Sequence, residues 1–144
     1  MNIQEYIDFA MSNPVCYLAT TENDQPRVRA VLLMFADESG FYFETLSPKA
    51  MSKQLHRNPK VEVCFYNNPP DLSDAKEMRI TGTVEFVNED TIIEEVYQKV
   101  KFLEDLAGRP IKPFLEVFRI GTGDTHFWTL QDVLKESEIE HATF

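Results

Sequence analysis

The segment MRITGTVEFV, residues 78–87, repeats with a period of two. Met78, Ile80, Gly82, Val84 and Phe86 fall on one side and Arg79, Thr81, Thr83 and Glu85 on the other. Alternation of this kind belongs to an antiparallel strand with one face on a core and the other in water. It sets the type of the apolar runs on either side. VCYLATT (15–21) and PRVRAVLLMF (26–35), joined by the polar ENDQ, read as a hairpin. FYFETL (41–46) follows the DESG turn as another strand, and VEVCFY (61–66) is a further one. LEVFRI (115–120) and THFWTL (125–130) are expected as two strands with GTGD as the turn between them.

Three segments carry helical spacing instead. NIQEYIDFAM (2–11) has Asn2 as its N-cap, and Pro14 ends the pattern. TLSPKAMSKQLHRNPK (45–60) starts at Ser47-Pro48 and stops at Asn58-Pro59. NEDTIIEEVYQKVKFLEDLAG (88–108) is the longest, with Ile92, Val96, Val100 and Leu103 on one stripe and Gly108 as its stop. The tail 131–144 has weak helical character and an acidic face. Short turns make the strands antiparallel, and closure removes their edges. The expected fold is therefore mainly β, an antiparallel barrel of about six to seven strands with about three flanking helices. It fills residues 1–144 as a single domain.

Composition bounds the function. The 144 residues are 43% apolar and 26% charged, as in a soluble globular protein. A net charge of -10 and a pI near 4.7 argue against nucleic acid or an anionic membrane as general partners. No apolar run nears the ~20 residues of a membrane-spanning helix. The N-terminal residues lack a basic segment followed by an apolar block, so no signal peptide is expected. Cys16 and Cys64 each lie in an apolar run and read as reduced core thiols, which suits the cytoplasm.

Against this acidic background, residues 45–60 hold Lys49, Lys53, His56, Arg57 and Lys60 and no carboxylate. The start of a helix turns free N–H groups outward and favours an anion. Lys49 and Lys53, four apart, share a face with Ser52 and His56 beside them, while Ala50, Met51 and Leu55 dock the other face on the barrel. A hydroxyl, backbone N–H groups and two ammonium heads suit a phosphate monoester. The same lysines could equally serve only to solubilise a surface helix. Arg27 and Arg29, on one strand face of the hairpin earlier in the chain, favour the anion.

The order of these pieces is distinctive. LAT, a polar turn, PRVRAV, then FYFET, SPK, KQL and NPKV, followed by a strand of the RITGTVEFV type, resembles the flavin-binding split β-barrel family. That family is related to pyridoxamine 5'-phosphate oxidase and to general stress proteins. The resemblance spans most of the chain and is most distinct over residues 15–87. It implies a homodimer with FMN at the subunit interface. By position, Val28, Arg29, Ala30 and Val31 would line the flavin and Glu44 and Thr45 would border it. Ser47, Lys49, Lys53 and Gln54 would surround the phosphate. Trp128 would either pack near the isoalloxazine from the partner chain or serve as a core or dimer contact.

Two departures weigh against a true pyridoxamine 5'-phosphate oxidase. No arginine follows Arg119, where the oxidase has an arginine-rich motif, and Met34 stands where the oxidase has lysine. His56, His126 and His141 show no metal-ligand spacing with one another or with the cysteines, so no metal is expected. No nucleophile elbow or Ser-His-Asp order appears. The resemblance thus implies an FMN-dependent oxidoreductase, with NAD(P)H as a candidate reductant, and a small-molecule substrate that stays open. Its alternative is a non-catalytic flavin store, sensor or electron-transfer protein. A deazaflavin or haem in the same barrel remains a third reading.

Overall fold

The β1–β2 hairpin shows how local chemistry sets the architecture. In the computed structural model, which describes residues 3–144, β1 (Val15–Glu22) and β2 (Gln25–Leu32) meet at Asn23-Asp24. Both turn residues have positive φ, 48° and 69°, in a two-residue connection closed by the Glu22–Gln25 pair. Such a turn matches the right-handed twist of the strands, and Asn and Asp tolerate it. The expected N-cap Asn2 lies outside the described residues.

The remaining strands are β3 (Phe35–Asp37), β4 (Gly40–Leu46), β5 (Lys60–Tyr66), β6 (Lys76–Val87), β7 (Leu115–Thr129) and β8 (Ala142–Thr143). All pairings are antiparallel, in the order β2-β1-β5-β6-β7-β4-β3, with β8 on β7. Among the described residues the sheet has eight strands, against the six to seven expected. The reading of 26–35 as one strand divides at Leu33-Met34 into β2 and β3. Residues 115–129 run as one strand rather than two. GTGD is not a turn: Gly123 faces Gly82, and a Cβ on Gly123 would lie 2.3 Å from the Thr81 carbonyl oxygen. Glycine serves close strand approach there, beside a register shift between Gly82 and Val84.

Among the described residues four α-helices flank the sheet: α1 (Ile3–Ser12), α2 (Ala50–Arg57), α3 (Asp90–Val100) and α4 (Leu103–Ala107). The single long helix expected over 88–108 breaks at Lys101-Phe102 into α3 and α4. Gly108 ends α4 with φ 70°, the left-handed cap its position suggested. The tail forms short 3-10 turns at Leu130–Asp132 and Glu136–Glu138 before β8. No helix among the described residues is long and apolar enough to cross a membrane.

The inward faces of the strands make one core from Leu18, Phe41, Phe43, Phe65, Met78, Ile80, Phe118 and Ile120. Each such side chain contributes about 1.5–3 kcal/mol of burial. A second core lies outside the barrel, where Tyr42, Val87 and Val117 meet Val96 and Val100 of α3. β1 and β4 are not hydrogen-bonded neighbours, yet α2 packs on both and sends Met51 and Leu55 into the inner core. The helix thereby closes the seam of a split barrel.

Candidate functional site

The basic helix is seated by its polar side chains as much as by its apolar ones. Ser52 and Gln54 are buried along with Met51 and Leu55, whereas Ala50 is exposed and does not dock. Ser52 donates to Glu116 of β7, and His56 Nε2 lies 2.5 Å from the other oxygen of that carboxylate. The His56 ring stacks on Phe86, 3.9 Å between centroids. Ser52 and His56 therefore face β7 and do not join the lysines, contrary to the helical-face expectation.

Ser47 does not cap the helix either. Lys49 occupies the N-cap position without a side-chain cap, and the first helical residue is Ala50. The Ser47 N–H donates to the Phe114 carbonyl at 2.9 Å, and the Lys49 N–H donates to the Leu46 carbonyl at 2.9 Å. These bonds turn residues 47–49 at the end of β4, and the helix starts after them. Lys49 and Lys53 are exposed, and Lys53 Nζ donates to the Pro48 carbonyl at 3.3 Å.

Gln54 is the joint between α2 and the hairpin. Its Oε1 accepts from Thr20 Oγ1 at 2.7 Å and from Arg29 Nη2, and its Nε2 donates to Glu22 at 3.3 Å. Arg29 also donates to Thr20 Oγ1 at 2.8 Å and to the Leu18 carbonyl at 3.2 Å. Partial burial lowers the Arg29 pKa from the ordinary guanidinium value. Hydrogen bonds from Gln54 and Arg27 hold the Glu22 carboxyl below its usual range. Lys53 and Gln54 border one small pocket together with Thr21, Glu22 and Arg57. The structure thus brings Lys53, Gln54 and Arg29 into one neighbourhood.

Lys49 borders a different pocket, about 300 Å³, with Leu46, Pro48, Arg109, Ile111 and Phe114 among its walls. Near it, burial pushes the Glu44 carboxyl above its ordinary range, and Lys49 opposes that shift. Thr45 is fully buried, and its Oγ1 has no hydrogen-bond partner among the described residues. Val28 and Ala30 stand exposed on the outward face of β2, and Val31 points inward against the core. Trp128 lies apart from these groups, near the end of β7. It lines a pocket with Tyr66, Leu72, Lys76 and Leu130, and the Arg79 guanidinium stands 6.0 Å from its ring centre.

Thr20, Glu116 and Arg109 were not singled out by sequence reasoning. Thr20 reads as one more alternating strand residue, and Arg109 as a loop residue after Gly108. Only the packing of α2 and of loop 108–114 gives them partners. The thiols of Cys16 and Cys64 are pushed up to about 12, chiefly by burial, so neither is a nucleophile near neutral pH.

A profile described as Pyridoxamine 5'-phosphate oxidase matches residues 3–128, most of the chain. The chain belongs to the pyridoxamine 5'-phosphate oxidase family. A family relative named pyridoxine/pyridoxamine 5'-phosphate oxidase, from Vesicomyosocius okutanii, is 37% identical over 71 residues. That match takes in 49% of this chain and 32% of the relative, so the chain spans about a third of its length. A NimC/NimA family protein from Clostridium acetobutylicum superposes with a TM-score of 0.74 at 26% identity, covering 99% of this chain and 90% of the other. A protein from Mesorhizobium loti described as FAD-binding has a TM-score of 0.71 at 17% identity, covering 88% and 94%. It shares the fold. The split barrel is the fold that this family member shares with those structures.

The strands also gather residues that their spacing left apart. Asp124, His126 and His141 offer ligand atoms that all lie within 4.8 Å of one another. Along the chain the histidines show no metal-ligand spacing; in space β8 returns beside β7 and brings His141 to His126.

Proposed function

We propose that the protein binds FMN and works as an FMN-dependent oxidoreductase on a small molecule, as a homodimer with the flavin between subunits. One observation carries this reading: Lys53 and Arg29 meet around Gln54, and the opposite face of the strand that carries Arg29 is apolar and uncovered. Val28 of β2 is 71% exposed and Leu32 51%, and the paired residues Val15 and Tyr17 of β1 are exposed as well. A face of this kind on an edge hairpin is uncommon in a monomer and suits a flat ring or a partner subunit. The ammonium and guanidinium groups suit the dianionic phosphate, and charge-assisted bonds of about 1.5–3 kcal/mol each would support micromolar binding.

When bound, the flavin supplies the electron chemistry, with NAD(P)H as the proposed reductant. The chain's own residues hold and orient. Lys49 and Lys53 would meet the phosphate. Arg29, braced by Thr20, Gln54 and the Leu18 carbonyl, presents a fixed guanidinium rather than a mobile one. Glu44 is half-buried, and Lys49 opposes the rise that burial gives its carboxyl. The Mesorhizobium loti protein's description makes FAD the competing flavin. The pairing of Lys53 with Arg29 around Gln54 favours the single phosphate of FMN.

A second reading keeps the flavin and drops turnover, as in a store, sensor or electron carrier. It is favoured by the commitment of polar groups around α2 to one another. Glu116 is held by Ser52 and His56, and Glu22 by Arg27 and Gln54. Neither is free to move a proton. Lys49→Ala combined with Lys53→Ala is expected to weaken FMN binding at least about tenfold, read by flavin fluorescence quenching, with the circular dichroism spectrum unchanged. Unchanged affinity would reject the phosphate assignment. Anaerobic addition of NAD(P)H separates the two readings, since only the oxidoreductase bleaches.

A further inference from the structure

We propose that Asp124, His126 and His141 form a binding site for a borderline divalent transition ion, of which zinc is the natural probe. The topology builds the site. Asp124 and His126 are two apart on β7 and so share a face. β8 pairs antiparallel with β7, Asp124 opposite Thr143 and Thr125 opposite Ala142, which brings His141 beside His126. The His141 Nδ1 lies 2.6 Å from Asp124 Oδ1, and the two imidazoles stack at 4.2 Å with 20° between their planes. One carboxylate and two imidazoles at this separation are the donor set of open three-ligand sites for zinc and its neighbours, with a position left for water.

A second observation points to a ligand. His126 Nδ1 is buried and has no hydrogen-bond partner among the described residues. A buried ring nitrogen without a partner needs a compensating group, and an ordered ion or water is the usual one. His141 is exposed, so the cluster opens to solvent, and its ring has to rotate out of the stack on His126 for both imidazoles to reach one ion. The positive charge that faces the cluster is offset. Arg79, opposite His126 on β6, is engaged by both Glu77 and Glu136. The site is independent of the flavin reading.

Ion binding would have a structural consequence. β8 is held to β7 by a pairing two residues long, extended by mutual Gly123–Phe144 backbone bonds at 3.1 Å. Two ligands come from β7 and the third from the segment that leads into β8, so the ion would staple that segment to the sheet.

The test is calorimetric titration of the chelator-stripped full chain with zinc chloride, followed by cobalt(II) as a spectroscopic probe. One zinc per chain is expected, with a dissociation constant on the order of micromolar. His141→Gln and Asp124→Asn should each weaken it about tenfold or more, while His56→Gln leaves it unchanged. Cobalt should give the absorption of a low-coordinate nitrogen and oxygen site, lost in His141→Gln. Because His141 is exposed, that variant is expected to fold as the parent does. No zinc binding by the parent chain, or equal affinity in His141→Gln, would overturn the proposal, the latter placing the ion at another site such as His56–Glu116.

Discussion

Glu44 illustrates how one side chain can report on the site. Burial is the larger influence on its carboxyl and pushes the pKa up; Lys49 is the smaller and pulls it down. As pH rises, the folded state therefore gives up this proton later than the unfolded chain does. Its contribution to stability is complete below the ordinary carboxylate range and is lost as pH rises through the raised folded value. Glu44→Gln should accordingly be more stable than the parent at about pH 7 and equal to it near pH 4, read by urea melts of the flavin-free protein. A variant less stable at neutral pH would mean that the charged form is the one held. Gln54 shows the limit of reading at this scale. Its sequence position suggested the phosphate, but its side chain is spent largely on Thr20, Arg29 and Glu22. Helical spacing gives the direction of a side chain to within a face, and whether that face meets a strand depends on packing that no local pattern contains.

Strands were legible in the sequence because alternation is a local property, and MRITGTVEFV falls inside β6. What local pattern could not separate was a glycine placed for a turn from one placed for close contact. In GTGD the two uses look alike, and the tertiary approach of Thr81 decides between them. Gly123→Ala should therefore cost about 1–3 kcal/mol in chemical denaturation, since its Cβ would meet the Thr81 carbonyl oxygen at 2.3 Å. If 121–124 were a free turn, the same change would be close to neutral. Ser47-Pro48 failed as a helix start for a related reason. The Ser47 N–H is taken by Phe114, from a segment some sixty-five residues on, and so the chain turns before it coils. The α3–α4 break is visible in the structure as a turn at Lys101-Phe102, and nothing in the spacing of the apolar stripe announced it.

At the scale of the whole molecule, two cores share one sheet, and α2 closes the seam between strands that do not pair. The uncovered patch is the outward face of β1 and β2, where Val15 meets Leu32 and Tyr17 meets Ala30. A second subunit is the proposed cover. Sedimentation of the parent protein should give a dimer, and Leu32→Glu should shift it toward monomer and weaken flavin binding together. A monomeric parent that still binds flavin tightly would remove the interface from the account. The anionic surface, at -10, leaves the cations of α2 as a local exception. That exception is proposed to hold the phosphate of FMN. It is tested most directly by purifying the protein and taking the mass of the cofactor released on denaturation. A yellow protein that releases FMN is expected; a colourless protein that fails to take up added FMN would rule the phosphate site out.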